Sequence, residues 1–114
     1  MLIYGWPLRS NMATQMMLTK ENRNNLPELY STDGQVMNAV AQVKFFRDAA
    51  VSIFITEYDG NDTMFGYITG THFPEWGYFS LAELTADHKS NRLGRTERDY
   101  YFTPKTVGEA VNNS

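Results

Sequence analysis

The chain has 114 residues, a formal net charge of −3 and no cysteine. Its length fits one domain that can bury roughly two thirds of its unfolded surface. The absence of cysteine excludes disulfides, thiolate nucleophiles and cysteine-ligated zinc, and the acidic sequence pI of about 5.3 argues against direct nucleic-acid binding.

The first 16 residues are predicted to be an N-terminal extension to a single domain at 17–114. Their apolar stretch is too short for a signal peptide, and Pro7 interrupts it. No apolar run approaches the roughly 18 residues of a membrane span, so we expect a cytoplasmic protein with no membrane partner. The start codon stays open among the methionines at positions 1, 12, 16 and 17.

The N-terminal part of the domain predicts a short helix and a strand. Thr19 precedes KENRNNL and suits a helix N-cap, and Pro27 should end that helix near residue 25 or 26. STDGQ, residues 31–35, is a loop signal. AVAQVKFF, residues 39–46, alternates as a strand, with Ala39, Ala41, Val43 and Phe45 on one face.

The centre of the chain predicts an antiparallel meander. VSIFITEY, residues 51–58, has Ile53 and Ile55 on its core face and Phe54 and Tyr58 on the other. DGND at 59–62 is a hairpin loop, and residues 63–70 form the returning strand. Gly66 inside that strand indicates a bulge or a close neighbour. EWGYF and RDYYF, at 75–79 and 98–102, supply a fourth and a fifth strand.

A strand passes directly into a helix at GYFSLAEL, residues 77–84. Ser80 and Glu83 have capping-box spacing, and Phe79 and Leu84 have the spacing of a hydrophobic staple. Ser80 is therefore a helix cap rather than a nucleophile, and the helix should end near residue 86 or 87. Either Thr103-Pro104 or Thr106-Val107-Gly108-Glu109 can start a last short helix.

These elements predict an α+β fold. It would be a single small domain with a mainly antiparallel sheet of four to five strands and two or three short helices.

Five blocks of the chain resemble, in order, a family of small domains of unknown function found on plasmids, conjugative elements and phages. They are LTKENRNNLPELYS, VKFF, ITEYDGNDTMFGYITG, PEWGYFSLAEL and RTERDYYFTP. The most specific block is similar to the family signature Pro-Glu-Leu-Gly-Tyr-x-Ser-Leu-x-Glu-Leu, and Trp76 stands where the family usually has Leu. The resemblance covers residues 17–107 and implies an intracellular protein of bacterial or phage origin, encoded on mobile DNA. It implies no activity, cofactor or catalytic residue.

The residues themselves contain no strong catalytic or cofactor motif. The loop after Asp59 lacks the glycine and glutamate that an EF-hand requires, and His72 and His88 lack metal-ligand spacing. Neither a P-loop nor a dinucleotide motif is present. We therefore expect no metal, no cofactor and no catalytic residues, and the sequence does not favour an enzyme.

Two patterns favour an interaction surface. Residues 51–87 carry six acids and no Lys or Arg, whereas residues 88–105 carry five Lys or Arg. Strand alternation groups the central aromatic residues on one sheet face, which would be an aromatic surface rimmed by acids if helices leave it open. The alternatives are that helices cover this face and that the two charged segments neutralise each other. The candidate interaction residues are Glu57, Tyr58, Asp59, Asp62, Phe65, Tyr67, Glu75, Trp76 and Tyr78.

The function that these patterns favour is a non-catalytic protein-interaction module with a host or element-encoded protein partner. One concrete version is an inhibitor of a host nucleic-acid-handling defence system, of anti-restriction or anti-CRISPR type, whose acids compete for a basic groove. The alternative is a small hydrolase or nucleic-acid-processing accessory that uses Glu57, Glu75 or Glu83, with Arg95 and Arg98 as phosphate-binding candidates. Self-association is a third option.

Overall fold

The computed structural model describes residues 17–113, and the expectations for residues 1–16 lie outside this range. The helices are α1 (Lys20–Asn25), a 3-10 helix (Val36–Asn38), α2 (Leu81–Lys89) and α3 (Val107–Asn112). The strands are β1 (Val40–Ala41), β2 (Val43–Arg47), β3 (Val51–Tyr58), β4 (Thr63–Thr69), β5 (Glu75–Ser80), β6 (Glu97–Arg98) and β7 (Lys105–Thr106). Among the described residues, no helix combines the length and apolar character that crossing a membrane requires.

The fold is α+β, as the sequence predicts. Five strands form one antiparallel sheet in the order β5-β4-β3-β2-β6, and β1 pairs with β7 in a separate two-stranded ladder. The three sequential hairpin connections from β2 to β5 explain the antiparallel order, because short loops join neighbouring strands.

Local sequence signals fix the helix boundaries. Thr19 caps α1 and forms a reciprocal capping box with Asn22. The alternative starts for the last helix resolve to Thr106, which forms a capping box with Glu109. Helix α2 extends to Lys89, two residues beyond the later predicted end at residue 87, and Ser80 is its N-cap.

The N-terminus of α2 is held by two side chains rather than one. The Ser80 hydroxyl accepts from the Glu83 N–H at 3.1 Å and donates to Asp62 at 2.8 Å. Asp62, from the β3–β4 hairpin, also accepts from the Ala82 N–H at 2.7 Å. The carboxylate therefore satisfies a helical N–H that would otherwise lack a partner.

A β-bulge in β3 interrupts the alternation of its side chains between the two faces of the sheet. The register passes from Ile55 opposite Gly66 to Glu57 opposite Phe65, which leaves Thr56 as the extra residue. The prediction that Tyr58 shares a face with Phe54 is therefore wrong, because the bulge turns Tyr58 towards the opposite core. The bulge beside Gly66 confirms the interpretation of that glycine.

Two cores lie on opposite faces of the sheet. The first packs β2, β3 and β4 residues against α2 and the segment before α1, and it includes Phe45, Ile53, Met64 and Leu84. The second is smaller and packs Phe54 against α3, through Val107 and Ala110.

Two further predictions need correction at the ends of the sheet. The predicted strand at 39–46 is interrupted at Gln42, so Ala41 belongs to the second core while Val43 and Phe45 belong to the first. The predicted strand at 98–102 is only Glu97–Arg98, and a turn follows it. These short pairings depend on contacts that are distant in the chain, such as Val40 with Thr106.

Candidate interaction groove

Four aromatic side chains form a continuous cluster on the second-core face, which we call the aromatic ladder: Phe65, Tyr67, Trp76 and Tyr78. The β4–β5 register places Phe65 opposite Tyr78 and Tyr67 opposite Trp76. The Phe65 ring stacks on Trp76 with centroids 5.4 Å apart and lies 5.0 Å from Tyr78, while Tyr67 lies 5.1 Å from Trp76. Such contacts make the ladder a rigid apolar surface.

The ladder is only partly covered. Tyr67 and Trp76 pack against the second core, whereas Tyr78 is 55% exposed. This sheet face is thus covered by a helix in one part and open in another. Helix α3 covers Phe54, whereas the β4–β5 side stays accessible.

The segment at 32–36 faces the ladder and closes a groove of about 300 Å³, which we call the aromatic groove. Its lining residues are Thr32, Asp33, Gly34, Val36, Ala39, Phe65 and Trp76. Its size is at the lower end of the range for ligand pockets.

Glu57, on β3, fixes the position of this segment by hydrogen bonds. Its carboxylate accepts from the Tyr30 N–H at 2.7 Å, from the Thr32 N–H at 2.9 Å and from the Thr32 hydroxyl. Glu57 is 2% exposed, so it shapes the groove but does not form part of its surface. Tyr30 has a positive φ of 72°, a conformation that this pair of backbone hydrogen bonds helps to hold.

Asp33 places one negative charge on the lining of the groove. The neighbouring Tyr30 hydroxyl raises the pKa of Tyr78, and desolvation and the carboxylates of Asp33 and Glu57 raise it further. No Lys or Arg lines the groove among the residues that the structure describes. The groove therefore combines aromatic faces with a field that disfavours anions.

The remaining predicted interaction residues have other positions. Tyr58 is buried in the first core and accepts a hydrogen bond from Arg23 at 3.0 Å. Asp59 accepts from the backbone N–H groups of residues 61, 62 and 63, which lowers its pKa, and Asp62 caps α2. Glu75 is exposed at the start of β5, beside Trp76.

The residues of the enzymatic alternative are not brought together. Glu57 is buried, Glu75 is the first residue of β5, and Glu83 is in α2, past the other end of this strand of roughly 17 Å. Arg98 is on β6, at the opposite edge of the sheet, about 19 Å from β5 across four strand spacings.

The two arginines of the phosphate-binding hypothesis already have partners. Arg95 donates to Asn91 at 2.8 Å and lies 3.9 Å from Glu97, and Arg98 stacks over Tyr100 at 4.6 Å. Within 17–113, no cluster of three or more His, Asp or Glu side chains has the geometry of a metal site.

The sequence alone does not predict that the segment at 32–36 forms a wall of the groove. Its only local signals are the turn-forming STDG and the apolar Val36 that follows shortly after it. Their position against the ladder follows from the hydrogen bonds to Glu57, which join residues 25 or more apart in the chain.

Comparison with known proteins gives one family and no function. No curated protein and no solved structure matches the chain significantly. A family model described as "Protein of unknown function (DUF2958)" matches residues 8–108, beginning inside the predicted N-terminal extension and ending after β7. Since this range is most of the 114 residues, the chain belongs to the DUF2958 family.

Proposed function

We propose that the domain is a non-catalytic protein-interaction module and that the aromatic groove is its contact surface. The observation that carries this proposal is the partly exposed ladder of Phe65, Trp76 and Tyr78 beside a segment anchored by Glu57. Aromatic residues supply a large contact area at low entropic cost, and they are enriched where binding energy concentrates.

The anchoring of the groove supports binding over a purely structural role. Glu57 holds the 30–32 backbone in one place, so the wall and the ladder form a preorganised concave site. The scattered positions of Glu75, Glu83 and Arg98 give no comparable support to a hydrolase.

A narrower form of the proposal is an inhibitor of a nucleic-acid-handling defence system, encoded on mobile DNA. Its acids would compete for a basic groove of the target. Asp59 and Asp62 use their carboxylates for internal hydrogen bonds, so exposed acids such as Asp33 and Glu75 would have to supply the competing charge.

The experiment is affinity capture of the tagged full chain from lysate of its source organism, with mass spectrometry. The wild type is compared with Trp76→Leu, which keeps an apolar side chain in the ladder, and with Tyr78→Ala, which removes an exposed ring. We expect one stoichiometric partner that both substitutions deplete and that purified protein rebinds.

The matched control is Tyr101→Ala, which removes a 93% exposed ring outside the groove and should leave capture unchanged. Equal depletion by Tyr101→Ala, or a partner that Trp76→Leu and Tyr78→Ala both retain, would overturn the assignment of the groove. Circular dichroism of each variant verifies that the fold is kept.

A further inference from the structure

We propose that the aromatic groove receives a Lys or Arg side chain from a basic segment of its protein partner. This inference rests on the proposed function and names the chemistry of the partner. It follows from a contrast between the two halves of one sheet face.

On the half of the face near β2 and β7, the protein places its own cations over aromatic rings. Lys44 lies 5.6 Å from the Phe54 centroid and Lys105 lies 4.8 Å from that of Phe102. Both distances are within the range of cation–π attraction. Phe54 and Phe102 are themselves neighbours, with centroids 6.2 Å apart.

The aromatic ladder continues this face on β4 and β5, yet the described part of the chain places no cation over Phe65, Trp76 or Tyr78. Trp and Tyr are stronger cation acceptors than Phe, or comparable to it. The better cation-binding rings therefore include those over which residues 17–113 place no cation.

The charges around the groove favour the same ligand. Asp33 lines the groove, and the Glu57 carboxylate lies beneath it with hydrogen bonds from neutral donors and no ion pair to any described Lys or Arg. The pKa of Tyr78 is raised mainly by the neighbouring Tyr30 hydroxyl, then by desolvation, with smaller contributions from these two carboxylates. A ligand cation would meet aromatic faces and carboxylates together.

The test begins with selection of displayed random peptides on the wild-type full chain, with the Trp76→Leu chain in solution as competitor. The peptides recovered are then synthesised in pairs, each cationic residue being replaced by glutamine in the second member. Each peptide is titrated into the wild-type chain, and the indole N–H signal of Trp76 is followed in heteronuclear NMR spectra. The signal is assigned by its absence in Trp76→Leu. We expect Lys- or Arg-containing peptides, roughly tenfold weaker binding after the glutamine replacement and a similar loss in Trp76→Leu.

The electrostatic part has its own matched pair of variants. Asp33→Asn should weaken binding several-fold, and increasing the salt concentration should weaken binding to the wild type. Glu83→Gln removes an acid on α2, against the opposite face of the sheet, and should leave the affinity unchanged.

The outcomes separate this inference from the proposed function. Peptides that depend on Trp76 but lack Lys and Arg, or that bind equally well after the glutamine replacement, would overturn the cationic ligand and leave the interaction module standing. Recovery of no peptide that depends on Trp76 would count against both.

Discussion

At the scale of single residues, Glu57 determines the shape of the groove. A carboxylate with 2% exposure is costly to bury unless its oxygens have partners, and Tyr30 and Thr32 provide them. The acid therefore connects β3 to a loop that contains no regular secondary structure at this point. An acid in a strand suggested an exposed contact residue from the sequence, whereas the structure makes it an internal anchor.

Replacing this anchor should destabilise the domain. Glu57→Gln puts an amide where two backbone N–H groups need acceptors, so we expect a loss of about 1–3 kcal/mol in the free energy of unfolding. Urea denaturation measures this loss. Glu75→Gln, at an exposed position, should change the same quantity by less than about 0.5 kcal/mol. Equal effects of the two substitutions would contradict the anchoring role.

Asp87 gives the domain a pH dependence at the acidic end. Its carboxylate accepts from the Thr96 hydroxyl and N–H, each at 2.7 Å, and from Arg92 at 3.2 Å. These bonds lower the pKa of Asp87 from 3.8 to about 2, with the Thr96 hydroxyl as the largest cause. A group whose pKa is lower in the folded state contributes its full stabilisation above the unfolded value.

We therefore expect the stability difference between the wild type and Asp87→Asn to be constant above pH 3.8 and to shrink as the pH falls towards about 2. Thermal denaturation of both proteins at a series of pH values measures this difference. The other carboxylates are present in both proteins, so their protonation largely cancels. Asn24→Gln, at an exposed position without a titratable group, is the control and should show no such trend. A difference that stays constant down to pH 2 would remove Asp87 from this role.

At the scale of elements, the β3–β4–β5 meander depends on one close approach of two backbones. Gly66 and Gly77 are paired across β4 and β5, but their surroundings differ. A Cβ at Gly66 would collide with the Phe54 carbonyl oxygen beside the bulge, whereas nothing lies within 4 Å of a Cβ at Gly77.

These two glycines form a matched pair for substitution by alanine. Gly66→Ala should cost on the order of 3 kcal/mol or prevent folding, because the backbone of β3 would have to move. Gly77→Ala should be neutral or stabilising by up to about 1 kcal/mol, since alanine restricts the unfolded chain. Urea unfolding of both variants checks this, and a similar loss in both would show that the close approach is unimportant.

The same meander shows which elements can be predicted from sequence. Strands β3 to β5 and helix α2 have local signals: alternation, Asp-Gly, and Ser80 three residues before Glu83. The bulge at Thr56 has no such signal, because alternation in VSIFITEY continues past it. Ladders as short as β1–β7 are fixed by packing with α3 and have too few residues for a pattern.

The candidate site was predictable to the same extent. The ladder follows from alternation in β4 and β5, which the bulge does not disturb. Its partial exposure depends on where α3 packs, and its opposite wall depends on Glu57; neither position can be inferred from neighbouring residues.

At the scale of the whole molecule, one sheet serves two cores. Phe54 belongs to the second core, while its neighbours Ile53 and Ile55 belong to the first, so neither core can open without disturbing β3. Most of the described ion pairs, such as Lys44 with Asp99, are partly exposed and contribute little. Stability should therefore come mainly from these two apolar contacts with the sheet.

This arrangement predicts a single unfolding transition. Leu84→Ala in the first core should cost about 2–5 kcal/mol, and Val107→Ala in the second should cost about 1–3 kcal/mol. In a Trp6→Phe background, the fluorescence of Trp76 reports the second core and circular dichroism reports the whole fold. The two signals should change at the same urea concentration in both variants. Separate midpoints would show that the cores unfold independently.

The bulge at Thr56 determines where β3 can change in length without exchanging its faces. Deletion of Thr56 would remove the extra residue and leave Glu57 and Tyr58 on their present faces, whereas a one-residue deletion between Val51 and Ile55 would exchange the two faces for every side chain on one side of it. The exposed connection at residues 70–74, between β4 and β5, is under no such restriction beyond Gly70. Insertions and deletions among related sequences should therefore collect at 71–74 and avoid 51–55, a pattern that an alignment of the family would reveal directly.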